Sequence, residues 1–367
     1  SNHTRGSFSF ADAEDGGYIN HTYPNSVMNF ESAIEQCSLP IIGHETGQFQ
    51  CYPNYEEIKK YTGVVEARNF EVFRERLAKN GMLHQANDFF RATGAHTVLQ
   101  YKEVNESLLR TRNSGGFQLL GLADFPGQGS AFVGILDAFW ESKGLVTPEK
   151  FRESCAPTVL LARLPKRTFR NGEKLKAKME IYHFGKDALN SRKLNWTLTG
   201  EDGTVYHKGS LKTKSIQPAT VDSLGIIELP LNGMDSARKL TLKAELGGIH
   251  NEWDVWVYPE QPKTEQHNFV YTRTWNDETK QWLNEGKNVL LIPEKCKGRK
   301  AHFASHFWNP IMFNWNPMIV GTLIDNEHPA FRDFPTRNYA DWQWWDILNY
   351  STALELDELK EITPLIQ

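Results

Sequence analysis

"PIIGHETGQF", residues 40 to 49, decides how the first part of this chain is read. Two isoleucines lead into His44 and Glu45, and a glycine then stops the run. A short apolar run closed by glycine is the pattern of a buried strand. The reading is a strand over "PIIGHE" that ends on a carboxylate. In parallel α/β architectures chemistry gathers at the carboxyl ends of the strands, which makes Glu45 the leading candidate for a functional group. A strand-end glutamate also serves as an ion-pair partner or as a cap for the following helix, and the residues alone leave both readings open.

The flanking segments alternate between strand and helix patterns. "NFESAIEQ" (29–36) has helical spacing behind an asparagine cap. "NYEEIKKYTG" (54–63) is a short helix that stops at Gly63, and residues 69–112 are long and amphipathic, with breaks expected at Gly81 and Gly94. "GGFQLLGLADF" (115–125) is a second buried strand, with Asp124 at the same end as Glu45. "FVGILDAFWESKG" (132–144) is expected to be a helix that places Trp140 in the core. Such alternation predicts a parallel α/β unit over residues 1–156. A complete (β/α)8 barrel needs about 250 residues, so this unit is expected to hold the last strands and helices of a partial (β/α)8 barrel.

Residues 157–262 change character. "EKLKAKMEIYHFG" and "KLTLKAELGG" alternate apolar and polar residues, and "LNWTLTGEDGTVYHKGSL" is two strands around Asp202-Gly203. "NEWDVWVYP" alternates and then stops at Pro259. About seven short strands in some hundred residues predict an immunoglobulin-like β-sandwich. Residues 263–367 return to α/β, with a strand at "NFVYTR", a helix at "NDETKQWLNEG" and a strand at "KNVLLIP". This small C-terminal α/β domain carries the aromatic-rich "FWNPIMFNWNP" and "DWQWWDILNY", expected to cover an interface. The fold class is therefore multidomain α/β plus all-β.

Composition narrows the function. A net charge of -4 gives no footprint for nucleic acid, and no apolar run reaches the length of a membrane span. "SNHTRGSFSF" has neither a basic end nor an apolar stretch, so no leader peptide is read there, and the opening reads as the start of a fragment or processed form. The four cysteines contain no CxxC pair, and free, mostly buried thiols are expected. No metal and no cofactor is expected. There is no glycine-rich phosphate loop, no GxSxG elbow and no aspartate-rich calcium loop. His84, His183 and His306 read as structural or surface residues. Around Glu45, the residues His21, Tyr23, Gln48, Tyr52 and Tyr55, with Asp124, offer many hydrogen bonds to a polyhydroxylated ligand.

"SLPIIGHETGQF", followed by "GGFQLLGLADFPGQG" some 70 residues on, resembles the last two barrel strands of family 2 glycoside hydrolases, the β-galactosidase and β-glucuronidase group. Gly115-Gly116-Phe117 and Asp124 match the eighth-strand pattern, while leucines stand where tryptophan is usual. "YINHTYPN" resembles the sixth-strand segment, in which a tyrosine contacts the nucleophile; Tyr23 fits best. The resemblance covers residues 15 to 260. It implies a retaining glycosidase with Glu45 as nucleophile and Tyr23 orienting it. Asp124 and Gln48 would contact sugar hydroxyls, and Phe125 would form a stacking wall. His21 is included in the sugar-binding set. His44 is either a member of that set or buried structure, since alternation along a strand points it away from Glu45. The resemblance also favours a periplasmic or secreted parent.

One departure matters. Retaining glycosidases use two carboxyl groups about 5–5.5 Å apart, and the family's acid/base belongs to an Asn-Glu pair before the nucleophile. The pairs Asn105-Glu106, Asn251-Glu252 and Asn326-Glu327 all follow Glu45, as does Asn284-Glu285. The expectation is a C-terminal part of a longer glycosidase that is nearly inactive alone, with a glycoside as ligand. The alternatives are a non-catalytic carbohydrate-binding or scaffold module, and a role for the last hundred residues in homo-oligomerisation.

Overall fold

The computed structural model describes residues 18–39, 41–125, 131–190, 193–260, 269–304, 320–356, 358–359 and 361–367. The chain is mixed α/β with several separate sheets. Two short helices, α1 (Tyr18–His21) and α2 (Glu31–Ile34), precede strand β1 (Ile41–Thr46). A 3-10 turn (Tyr55–Lys60) and helices α3 (Arg68–Lys79) and α4 (Ala86–Leu109) lead to β2 (Ser114–Leu119). β1 and β2 pair in parallel as a two-stranded sheet, so residues 41–119 form one strand–helix–strand crossover. No closed barrel is formed among the described residues.

Several local expectations are corrected. "YINH" is helical and not a strand. β1 is a half-open strand and not a buried one: Gly43 and Thr46 are buried, while Ile42 is 59% exposed. α4 runs unbroken through Gly94, because that glycine sits under the Leu145 side chain; a Cβ there would lie 2.3 Å from Leu145 Cδ2. Residues 132–144 form no helix. Asp137 Oδ1 instead accepts the backbone N–H groups of Phe139 and Glu141, which closes a turn. Trp140 is 70% exposed at φ +65°, not in the core. Of the four free cysteines only Cys51 is buried.

After α5 (Pro148–Arg152) come β3 (Thr158–Arg163), β4 (Thr168–Arg170), β5 (Lys174–His183), β6 (Lys193–Gly200), β7 (Val205–Lys212), β8 (Thr220–Pro230), β9 (Arg238–Leu246) and β10 (Ile249–Tyr258). β3-β5-β8 form one sheet and β4-β10-β9-β6-β7 the other. Alternate residues of both, among them Leu160, Ala177, Ile181, Leu198, Leu242 and Val255, fill one shared core. The β6–β7 hairpin turns at Asp202-Gly203, where Asp202 accepts from the Thr204 N–H and Gly203 has φ +81°. His183 is buried between Thr158 Oγ1 and the Asp187 carbonyl, a structural role. His84 is exposed, and His306 lies outside the described residues.

The C-terminal part holds a parallel pair, β11 (Phe269–Thr272) and β12 (Asn288–Leu291), joined by α6 (Asp277–Asn284), then β13 (Gly298–Lys300), α7 (Trp345–Asn349) and β14 (Thr352–Leu354). The tryptophans of "DWQWWDILNY" do cover an interface, and it lies within the chain. Trp342, Trp344 and Trp345 share a core with Tyr18, Phe30, Tyr101 and Leu108. Both ring nitrogens of His96 on α4 meet C-terminal carbonyls, Ala340 at 2.8 Å and Phe303 at 2.6 Å. "FWNPIMFNWNP" lies outside the described residues.

Charge also locks α4 to the sandwich. Buried Arg110 pairs with Glu103 at 2.5 Å and Glu106 at 3.4 Å. Glu106 in turn accepts from Trp253 Nε1 at 2.9 Å and Asn251 Nδ2 at 3.0 Å on β10. Burial alone would raise Glu106, but Lys102 and Arg110 outweigh it and hold the carboxyl below its ordinary value.

Candidate functional site

Glu45, the penultimate residue of β1, sits in a contorted backbone. Glu45, Gly47 and Gln48 have φ of +54°, +98° and +70°. For glutamate and glutamine the left-handed region carries a cost, and such strain concentrates at functional sites. It also ends the strand's alternation. The β1–β2 register slips between Gly43 and Thr46, and His44 Nε2 comes within 3.7 Å of Glu45 Oε1. The rule that adjacent strand residues face apart thus fails here, and His44 stands beside the carboxylate. Its Nδ1 lies 3.0 Å from Gln118 Oε1 on β2.

The turn is held from below. Gln48 is 2% exposed, and its amide donates to the Glu45 carbonyl at 3.1 Å and to Oε2 at 3.4 Å. Gly47 lies on the Tyr101 ring of α4; a Cβ there would be 2.2 Å from Cε1. The Glu45 side chain keeps 23% of its surface exposed, so it is supported and still reachable.

Asp124 sits differently from its expected place among sugar contacts. It is buried, and its Oδ1 accepts from Lys143 Nζ at 2.6 Å and from the Gly134 N–H at 2.8 Å. Gly134 is obligatory for this fit, since a Cβ would lie 2.4 Å from both Ala123 C and Asp124 N. Buried Glu57 faces the same group. Among the described residues neither Asp124 Oδ2 nor Glu57 Oε2 has a hydrogen-bond partner. Burial, reinforced by Asp124, pushes Glu57 up to about 7. Burial, opposed by Lys143, leaves Asp124 at about 6.

Linkage gives the sign. A carboxyl raised on folding binds more protons folded than unfolded, so it stabilises below its unfolded value and that stability is lost as pH rises through the folded one. Wild type is expected to lose stability between about pH 4.5 and 7 on account of Glu57, with a slope of at most about 1.4 kcal/mol per pH unit. Glu57→Gln should flatten that slope, so that its urea midpoint exceeds that of wild type at pH 8. An unchanged slope between pH 5 and 7 would exclude a titrating Glu57.

Tyr23 packs edge-on to Trp345 at 5.7 Å and lies by Thr168 and Asp346; these side-chain contacts are with the sandwich and the C-terminal part. His21 closes α1 and is exposed. Phe125 is 56% exposed, with its backbone bridged to Ala131. The structure therefore joins Glu45 with His44 and Gln48, and groups Asp124 with Lys143 and Glu57. Tyr101, Lys143 and Glu57 escaped the sequence reading. Lys143 lies next to last in the segment read as a helix, and Tyr101 looks like any aromatic on a helix's apolar face.

A separate cavity of about 410 Å³ lies on the sandwich over β6, β9 and β10, lined by Asn195, Trp196, Thr197, Lys243, His250 and Glu252 among others. Lys150 Nζ is 2.6 Å from both Glu153 and Glu252 beside it.

Two family models match, both described as domains of unknown function: DUF8488 over residues 173–259 and DUF8487 over residues 270–367. No curated protein matches. Among solved structures, the sporulation control protein Spo0M from Bacillus subtilis is 17% identical over 29% of this chain and 51% of its own, with a TM-score of 0.23. A putative β-galactosidase from Bacteroides fragilis is 12% identical over 26% and 15%, TM-score 0.20. A β-glucuronidase of glycoside hydrolase family 2 is 9% identical over 28% and 11%, TM-score 0.20. This chain spans about half or less of the length of each, and overlaps of this size assign no activity to it.

Proposed function

We propose that this chain is the C-terminal part of a retaining β-glycosidase, that residues 1–156 carry its reacting group, and that Glu45 is the nucleophile. The observation that carries the reading is the strained, supported and solvent-reachable carboxylate at the end of a parallel strand. The family 2 resemblance of the β1 and β2 segments agrees with it. Ionised Glu45 would attack the anomeric carbon as the aglycone oxygen leaves, forming a glycosyl-enzyme that water then opens. His44, next to the carboxylate, and exposed Phe125 are the proposed sugar contacts; an exposed aromatic face suits a sugar ring. Residues 157–262 serve as an immunoglobulin-like support and residues 263–367 as a smaller α/β unit docked on α4.

The Asn-Glu pairs are not proposed as acid/base partners for Glu45. Glu106 is buried in its ion-pair network, Glu252 stands on the sandwich, Glu285 is exposed just after α6, and Glu327 is exposed near the C-terminus. Lacking general acid help worth about 10²–10⁴, the chain should barely hydrolyse natural glycosides. The test therefore uses a leaving group that needs no proton. 2,4-Dinitrophenyl 2-deoxy-2-fluoro-β-glycosides of galacto, gluco and glucurono configuration should add one glycosyl unit to the chain, read by intact mass. No adduct with any of the three overturns the reading.

A second reading is favoured by the polar cavity over β6, β9 and β10: a carbohydrate-binding module without catalysis. Calorimetric titration with oligosaccharides separates the two, because binding that is indifferent to Glu45→Gln belongs to the second.

A further inference from the structure

We propose that Tyr101 is a positioning residue whose hydroxyl ties the turn carrying Glu45 to the segment that holds Asp124. Its bearing on catalysis rests on the reading of Glu45 above; the tie itself does not. Tyr101 is almost wholly buried on α4, so it is not a ligand contact. Its ring fills the place where Gly47 lacks a Cβ and meets Phe49 edge-on at 5.5 Å. Its hydroxyl donates to the Val133 carbonyl at 2.7 Å and faces the backbone N–H of Gln48. Val133 precedes Gly134, whose N–H and carbonyl engage Asp124 Oδ1 and Lys143 Nζ at 2.8 and 2.9 Å. One phenol therefore touches the turn after β1 and the segment clamped to the loop after β2. Burial on all sides leaves no water to replace it, so loss of the hydroxyl is felt at both ends.

Hydrogen exchange followed by mass spectrometry tests this in the whole chain. Tyr101→Phe keeps the ring under Gly47 and removes only the hydroxyl. Peptides covering residues 44–49 and 131–137 should both exchange about tenfold faster, the effect of one buried hydrogen bond, while β5 and β9 stay unchanged. Acceleration at one end only, or at neither, overturns the proposal. Should Tyr101→Phe fail to fold, Asp124→Asn in the otherwise wild-type chain must speed exchange at 44–49 as well as at 131–137; an effect confined to 131–137 overturns it. The fluoro-glycoside adds a second readout. In Tyr101→Phe the saturating rate of adduct formation should fall several-fold at an unchanged half-saturating concentration. If wild type forms no adduct, the glycosidase reading fails and exchange alone decides the role of Tyr101.

Discussion

Arg110→Ala is expected to cost about 3–5 kcal/mol of stability, the range for stripping one partner from a buried ion pair. That is a large part of the 5–15 kcal/mol a folded protein typically holds. Arg110 is fully buried. Besides Glu103 and Glu106 it donates from Nε to the Met28 carbonyl at 3.1 Å, and the Arg163 side chain donates to its own carbonyl. Without the guanidinium, Glu103 is left with Arg167 at 3.3 Å and Glu106 with Lys102 at 2.6 Å. Two carboxylates would then be buried with too little compensating charge. Because Glu106 also anchors Trp253 and Asn251, the loss should loosen α4 from the sandwich and not fray one helix alone. Urea unfolding followed by tryptophan fluorescence would show the drop. A change below about 1 kcal/mol would mean that the network is not what joins the two parts.

Glu45→Gln is expected to abolish adduct formation with the activated fluoro-glycosides. In a longer enzyme containing this segment it should lower turnover at least about 10⁴-fold, as removal of a nucleophile does elsewhere. Glutamine keeps the shape of the side chain and leaves the Gln48–Glu45 carbonyl bond in place, so the melting temperature should stay near that of wild type. A variant that turns over at near the wild-type rate is incompatible with a nucleophilic Glu45.

Much of the sandwich was legible because alternation is enforced by burial: Leu194 and Leu198, or Leu240 and Leu242, must face one core. The position of Glu45 at a strand end was equally legible from the glycine that follows it. What failed was set by contacts distant in sequence. The spacing of Phe132, Ile135 and Phe139 imitates a helix, yet Gly134 packs against the backbone of Ala123 and Asp124, and Asp137 satisfies its own neighbours' N–H groups. Gly94 looks like a helix break until Leu145 is seen to lie on it. Tyr23 lies upstream of Glu45 in sequence, but Trp345, over three hundred residues away, takes its ring. The partnership of His44 with Glu45 was hidden because one residue at φ +54° reverses the side on which a strand presents its side chains.

The most direct measurement is the site of the covalent adduct. After incubation with the fluoro-glycoside, proteolysis and tandem mass spectrometry should locate a single glycosyl ester on Glu45, in the peptide containing "IIGHETGQF". An adduct on any other carboxylate, or none on a chain shown to be folded, contradicts the assignment of Glu45 as nucleophile.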